Sequence, residues 1–520
     1  MKAFLMYADR DFDPQAPLPP NAAELVQDLG LEVIFDAMSG DDPFLQEVAK
    51  SAVQSSLTEP SEILYRQQIL IDAMANPEVV RGLYDLVVEA IEREKHIWGW
   101  MTTKYPNELL HRSVEVMELF ADMLARLRRI ADEHGPRFQS TGFCRFFAMV
   151  RTELDDEYLS RVRDHLAWLG FRGGVLMSAD LGPENKGVDY VLRKPPDARG
   201  GWLARLQEWV SRLGEEPQEA YTYEVAERDE AGFNALSELK SEGIAPVAAA
   251  LAQSTDHILS FFKMLRLELA FYAGCLNLRD RLTAKGEPIC IPKPAGLGEI
   301  VLSGRGFYDP ALSVSMESRV VLNDVDANGK ELVIITGANR GGKSTLLRGL
   351  GLAQLMMQCG MFVPAESFRA TMCSALFTHF KREEDAGMQS GKLDEELARM
   401  SSIVDRLTPH CLVLLNESFA STNEREGSEI GRQIVRALLA SQIRVYYVTH
   451  MYDLAHGFFA ERLASALFLR AERLADGERT FRLTEGEPLP TSFGEDLYRV
   501  VFAQPTQAAT PASSGATSAT

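Results

Sequence analysis

The chain has 520 residues, 46% of them hydrophobic and 25% charged, a globular balance with enough apolar material for several cores without disulfide or metal staples. Its six cysteines, Cys144, Cys275, Cys290, Cys359, Cys373 and Cys411, stand singly with no C-x-x-C pair. That argues against a zinc site and predicts buried free thiols in a reducing cytosol. A formal net charge of −20 weighs against broad non-specific binding to nucleic acid, which needs Lys and Arg against phosphate, but leaves room for a local basic surface.

The N-terminal run Met1 to Tyr7 meets Asp9, Arg10 and Asp11. It is too short for a signal peptide, and no stretch approaches the roughly 18 apolar residues of a membrane span. A cytoplasmic protein with no membrane partner is expected. Residues 1–130 read as helices. Val114, Met117, Ala121 and Leu124 recur at helical spacing, followed by Arg126, Arg128 and Arg129. Those arginines fit a solvated helix face or a phosphate-contacting patch. Residues 131–229 change character and form a small α+β insert. A helix over 157–169 leads to an apolar run at Val175 to Ser178 and, after the turn-rich connector 180–187, to Val188 to Arg193, a β-hairpin with a long loop.

Helix returns in the segment 230–299. Ile258, Phe262, Leu265, Leu269, Tyr272 and Leu276 alternate by four and three, the seam of a rigid arm or of an ordinary buried helix. Residues 300–502 form the last folded segment. The stretch 503–520, rich in Ala, Thr, Ser and Pro, is expected to be a disordered tail.

The chemistry lies in that last folded segment. Leu332 to Thr336 is a continuous apolar, β-branched run, as a buried parallel strand requires. It feeds into Gly337-Ala338-Asn339-Arg340-Gly341-Gly342-Lys343-Ser344, which fits G-x-x-x-x-G-K-[ST], and Thr345 to Leu350 opens a helix. Strand, glycine loop and helix together make a phosphate cradle. The glycines let backbone N–H groups turn inward, Lys343 can reach the β- and γ-phosphates, and the Ser344 hydroxyl can ligate Mg²⁺. ATP with Mg²⁺ is the expected cofactor.

A second apolar run, Cys411 to Leu415, ends in Asn416-Glu417. Glu417 stands where a carboxylate orients the attacking water, and Asn416 where an Asp normally holds the Mg²⁺ shell. Asn416 can reach the metal through a bound water but brings no charge, so slow ATP hydrolysis is expected. A third run, Val445 to Thr449, ends in His450, placed as the switch histidine of ABC-type ATPases.

These residues resemble the MutS family, whose P-loop commonly reads G-P-N-M-G-G-K-S-T. Phe362-Val363-Pro364-Ala365 is similar to its F-V-P-A. Asn416 to Gly427 is similar to D-E-x-G-R-G-T-S-T-x-D-G, and Val448-Thr449-His450 to A-T-H. The resemblance implies an α/β ABC-type P-loop ATPase domain preceded by a mainly α-helical core and lever region with a small α+β insert. It also implies a homodimer with composite sites, in which the signature segment of one subunit completes the pocket of the other. That segment corresponds to Gln389 to Leu397. Ser390 and Gly391 are its candidate contact residues, Leu393 replaces the family's Phe, and an acidic helix start is an equal reading. Phe307 and Tyr308 fall where the family places residues near adenine, although core packing explains them as well. With no counterpart of the mismatch-reading domain or its F-x-E element, and no Smr module, a truncated relative is expected. The leading function is a dimeric ATPase whose nucleotide state moves helical arms on DNA, structured or branched rather than mismatched, in repair or recombination. The alternative is a slow-turnover nucleotide-sensing scaffold for protein partners that does not bind DNA.

Overall fold

The computed structural model describes residues 1–97, 105–171, 175–183, 187–193, 230–382, 391–474 and 477–490. The expected tail 503–520 and Ser390 lie outside these residues. In chain order the elements are α1 (Ala22–Leu29), α2 (Leu31–Ser39), α3 (Pro43–Gln54), α4 (Pro60–Ala75), α5 (Pro77–His96), α6 (Pro106–His134), α7 (Thr141–Glu153), α8 (Asp156–Leu169), β1 (Met177–Leu181), β2 (Gly187–Leu192) and α9 (Glu230–Thr283). They continue with β3 (Lys293–Ala295), β4 (Leu302–Phe307), α10 (Pro310–Ser315), β5 (Asn323–Asp326), β6 (Leu332–Gly337), α11 (Lys343–Gln358), β7 (Ser367–Thr371), β8 (Leu376–Phe380), α12 (Lys392–Val404), β9 (Leu412–Asn416), α13 (Glu424–Ala440), β10 (Arg444–Val448), α14 (Tyr452–Ala460), β11 (Ala466–Arg473) and β12 (Arg479–Glu485).

The chain forms two compact units, and their division does not follow chain order. Of the described residues, those within 1–12 and 72–272 make one and those within 13–71 and 273–490 make the other.

Among the described residues, the regular structure of the first unit is helical apart from the antiparallel pair β1–β2. Two of its helices, α7 and α8, start on side-chain caps. Ser140 accepts from the Phe143 amide and Asp155 from that of Tyr158, satisfying N–H groups a helix leaves free. The seam residues of α9 that fall in this unit are buried, and Phe262 packs 5.4 Å from Phe120 of α6. The arginine cluster on α6 is largely spent on the fold. Arg126 pairs with Glu89 at 2.7 Å, and Arg128 pairs with Asp132 while donating to the carbonyls of Arg151 and Leu154. The strand β1 begins later than the apolar run suggested and takes in Asp180 and Leu181, read from sequence as connector.

The second unit is built on a six-stranded sheet of order β12-β11-β6-β10-β9-β8, parallel except for β12. Its central strands are buried on both faces, as their unbroken apolar runs require. Leu332, Ile334, Val413, Leu415, Val445 and Tyr447 pack with Val435, Leu438, Leu454 and Phe458 of α13 and α14. Gly351 of α11 lies where an added Cβ would come within 2.7 Å of both Leu414 and Leu29 of α1, so a glycine lets these elements close up. Residues 13–71 are tied in by polar contacts as well: Asn21 donates to the Leu376 carbonyl, and Gln358 donates to Ser56 and the Leu57 carbonyl. A four-stranded sheet, β3-β7-β4-β5, completes the unit.

Cysteines 275, 359, 373 and 411 are buried as expected, but Cys144 is exposed. It lies on the outward face of an amphipathic helix, a position its neighbours in sequence did not reveal. Among the described residues no helix is long and apolar enough to cross a membrane.

Candidate nucleotide site

Parallel strands bring their carboxyl ends to one edge of a sheet, and ligands gather there, outside the strand ends. Here Val448 of β10 pairs with Asn416 of β9 on one side and Ile335 of β6 on the other. That register brings together the glycine loop after β6, Asn416-Glu417 at the end of β9 and Thr449-His450 after β10, three segments spread between residues 337 and 450 of the chain.

The loop's backbone is fitted to a concave turn. Gly337 (φ 109°) and Gly342 (φ 89°) adopt left-handed conformations, and Arg340 does so at φ 58°. At Gly341 an added Cβ would lie 2.7 Å from the Ala471 Cβ and 2.8 Å from the Ala338 carbonyl, so any side chain would push the loop apart. Lys343, buried under this loop, donates through Nζ to the Gly337 and Ala338 carbonyls, each at 3.0 Å. Burial lowers the affinity of its amine for a proton, the Glu417 carboxylate opposes that, and the Arg479 charge adds to it. Ser344 Oγ donates to Asn416 Oδ1 at 2.9 Å. Asn339, within the loop, and Thr345, in the first turn of α11, are half-buried.

Glu417 leaves β9 with φ 53°, and its amide donates to the Val448 carbonyl at 2.8 Å. A non-glycine residue in this region costs on the order of 1–3 kcal/mol and persists only where its surroundings hold it. The turn brings the carboxylate to His450, with Oε1 and Nδ1 3.8 Å apart, longer than a hydrogen bond. The His450 imidazole is the main influence holding the Glu417 carboxyl below its ordinary range. Partial burial opposes it, while Lys343 and Lys381 reinforce it. Glu417 is thus a carboxylate at neutral pH, able to accept a proton or orient a water.

Beside the loop lies a cavity of about 450 Å³ whose lining includes Phe307, Tyr308, Arg340, Gly342, Thr345 and Phe481. Phe307 and Tyr308 are themselves almost wholly buried. Phe307 packs 6.0 Å from Phe368, and Tyr308 Oη has no hydrogen-bond partner. Both readings of these aromatics therefore meet in one place: they belong to the core and also line the cavity. Phe481, half exposed on β12 at φ 58°, lines the same cavity, its carbonyl close to Gly342. The sequence reading missed Phe481, since an isolated aromatic in a polar edge strand carries no motif. It also missed Arg479, whose Nε and Nη2 are buried without a partner near Lys343.

The loop's inward-turning backbone, the buried lysine, the hydroxyl–carboxamide pair and the adjoining apolar cavity fit a nucleoside triphosphate with its divalent metal. Of the candidate signature segment 389–397, residues 391–397 are described; Gly391 is the extended residue before α12, and 392–397 are in that helix.

Comparison with known proteins adds the family. Residues 58–285 match the MutS2 N-terminal domain, and residues 333–502 match MutS domain V. The chain belongs to the MutS family. Similar proteins include MutS protein homolog 4 of Mus musculus, 29% identical over 33% of this chain and 17% of that protein. DNA mismatch repair protein MutS of Porphyromonas gingivalis is 34% identical over 26% and 16%, and Endonuclease MutS2 of Thermus thermophilus 28% over 34% and 23%. The chain thus spans less than a quarter of the length of these MutS-family relatives.

Proposed function

We propose that this chain binds ATP with Mg²⁺ at the edge formed by β6, β9 and β10, and hydrolyses it slowly to drive a dimeric clamp on DNA. The observation that carries the reading is the convergence of the P-loop, Ser344–Asn416 and Glu417–His450 beside the apolar cavity. Backbone N–H groups of 337–345 hold the phosphates, and Lys343 exchanges its two loop carbonyls for phosphate oxygens. Ser344, and Asn416 through a water, would hold the metal, which when bound would neutralise charge on the phosphates. Glu417 orients the attacking water and accepts its proton, and His450 senses the terminal phosphate while keeping the Glu417 carboxylate charged. Phe307, Tyr308 and Phe481 give the base an apolar wall. Asn416 contributes a carbonyl where a carboxylate would bring charge, which supports slow turnover. Two copies of the chain pair so that Gly391 and Ser390 of one reach the nucleotide of the other. Structured or branched DNA is the proposed ligand, in keeping with relatives named as DNA mismatch repair proteins.

The test is a DNA-binding panel on the purified protein with and without a non-hydrolysable ATP analogue, alongside ATPase rates. Analogue-dependent binding to branched or duplex DNA at low salt and DNA-stimulated turnover support the clamp. Nucleotide binding with negligible turnover and no DNA binding would favour the second reading, a nucleotide-sensing protein scaffold. Asn416 and the net charge of −20 speak for that reading.

A further inference from the structure

Directly behind Glu417 lies a polar cluster that neither the P-loop chemistry nor the cavity uses. His379, at the end of β8, is fully buried, and its ring stacks 5.4 Å from that of Phe419. Its Nδ1 lies 2.7 Å from Ser418 Oγ, and its Nε2 lies 3.0 Å from the main-chain oxygen of Glu396 on α12. Ser418 Oγ also lies 2.6 Å from the His379 carbonyl, and Tyr447 Oη donates to the Ser418 carbonyl at 2.6 Å. Ser421 donates to Glu396 Oε1 at 2.9 Å, so α12 holds the loop after β9 directly at Ser421 and through His379 at Ser418. Ser418 sits between Glu417 and Phe419, both in left-handed conformations.

We propose that His379 is a positioning residue that fixes Glu417 through Ser418 and transmits the placement of α12, the helix opening at Gly391, to the hydrolytic loop. It rests on the reading of Glu417 as the residue that orients water. Two consecutive turns around Ser418 are unfavourable for side-chain-bearing residues and need outside support. The His379 and Tyr447 contacts supply it from both sides of Ser418.

The coupling to α12 follows from proton counting. Burial, reinforced by Arg399, pushes the His379 imidazole down to about 4, so at neutral pH it carries one ring proton. With that proton on Nε2, the ring donates to the Glu396 carbonyl and Nδ1 accepts the Ser418 hydroxyl. With it on Nδ1, the ring donates to Ser418 Oγ, whose own proton turns to the His379 carbonyl, and the bond to α12 is given up. A shift of α12 therefore changes which tautomer is favoured and how Ser418 is held.

The test compares the full-length parent with His379→Phe, which keeps the ring and loses both nitrogens, His379→Gln, which can make both bonds, and Ser418→Ala. ADP affinity, ATP turnover and amide exchange over residues 417–422 are measured on each. His379→Phe and Ser418→Ala are expected to lower turnover by about tenfold or more, with ADP affinity within about twofold and faster exchange at 417–422. His379→Gln is expected to restore most of both. Parental turnover and exchange in His379→Phe overturn the proposal. So does equal loss of affinity, turnover and whole-chain protection, which marks a purely structural role. If the parent neither binds nor hydrolyses nucleotide, the proposed function fails, and exchange at 417–422 in Ser418→Ala still decides the positioning claim.

Discussion

Glu417 and Glu268, one in each unit, show how differently a fold can treat the same side chain. Glu417 stands half-buried beside His450 with Lys343 and Lys381 near, and its carboxyl is held below the ordinary range. Glu268, in the first unit, is fully buried on α9 and accepts the Leu5 amide at 2.5 Å, with Oε1 unpartnered. Burial there outweighs the backbone hydrogen bonds and, with the nearby Asp11 charge, pushes the carboxyl up to about 7. The difference lies in what surrounds each group: His450, Lys343 and Lys381 keep one a carboxylate, whereas burial raises the other until it is half-protonated near pH 7. The second carboxylate acts as an anchor. Tyr272 Oη donates to the Leu5 carbonyl at 2.5 Å, so Glu268 and Tyr272 together pin the N-terminal segment.

The largest effect that would sharpen this contrast is on turnover. Glu417→Ala should lower ATP hydrolysis by roughly 10²–10⁴-fold while leaving ADP affinity nearly unchanged in calorimetry, the range for losing a positioned general base. Parental hydrolysis in that variant would remove Glu417 from the chemistry. The effect at Glu268 should be one of stability and of pH. Its folded pKa lies above the ordinary 4.5, so its contribution is full below 4.5 and is lost as pH rises through about 7. The two values differ by enough for a loss of about 3 kcal/mol between pH 4.5 and pH 8. Denaturant unfolding of Glu268→Gln should lack that slope, and an unchanged slope would refute the account.

Two smaller effects follow. Asn416→Asp should raise the ATPase rate by roughly tenfold, as a charged group joins the metal shell, and a fall in rate would show that the carboxamide suits this site better. Arg128→Ala removes bonds to two carbonyls and a carboxylate, and should destabilise the protein by about 1–2 kcal/mol. DNA binding should be untouched by that change; a selective loss of DNA affinity would return Arg128 to the phosphate-contacting reading.

Much of the sheet edge was legible because local rules write it. Buried parallel strands need unbroken apolar runs, and Leu332 to Thr336, Cys411 to Leu415 and Val445 to Val448 supply them. The turn at Gly337 and Gly342 needs glycine for its backbone conformation. The helical seam of α9 was equally plain, since a spacing of four and three leaves one face to bury. Phe481, Arg479 and His379 were not legible. Each is a single residue with no spacing pattern, and what it does depends on a partner far away in the chain.

By itself, then, the sequence determined the three strands, the loop between β6 and α11 and the order of polar residues at the strand ends, because these are set by short-range sterics and hydrophobic pattern. The tertiary structure alone decided that residues 13–71 pack with the sheet rather than with the helices that follow them. It also decided that Arg126 and Arg128 are paired within the fold, and that His379 meets Ser418 behind Glu417. Those outcomes depend on which buried polar groups find partners once the chain has closed, and no local pattern records that.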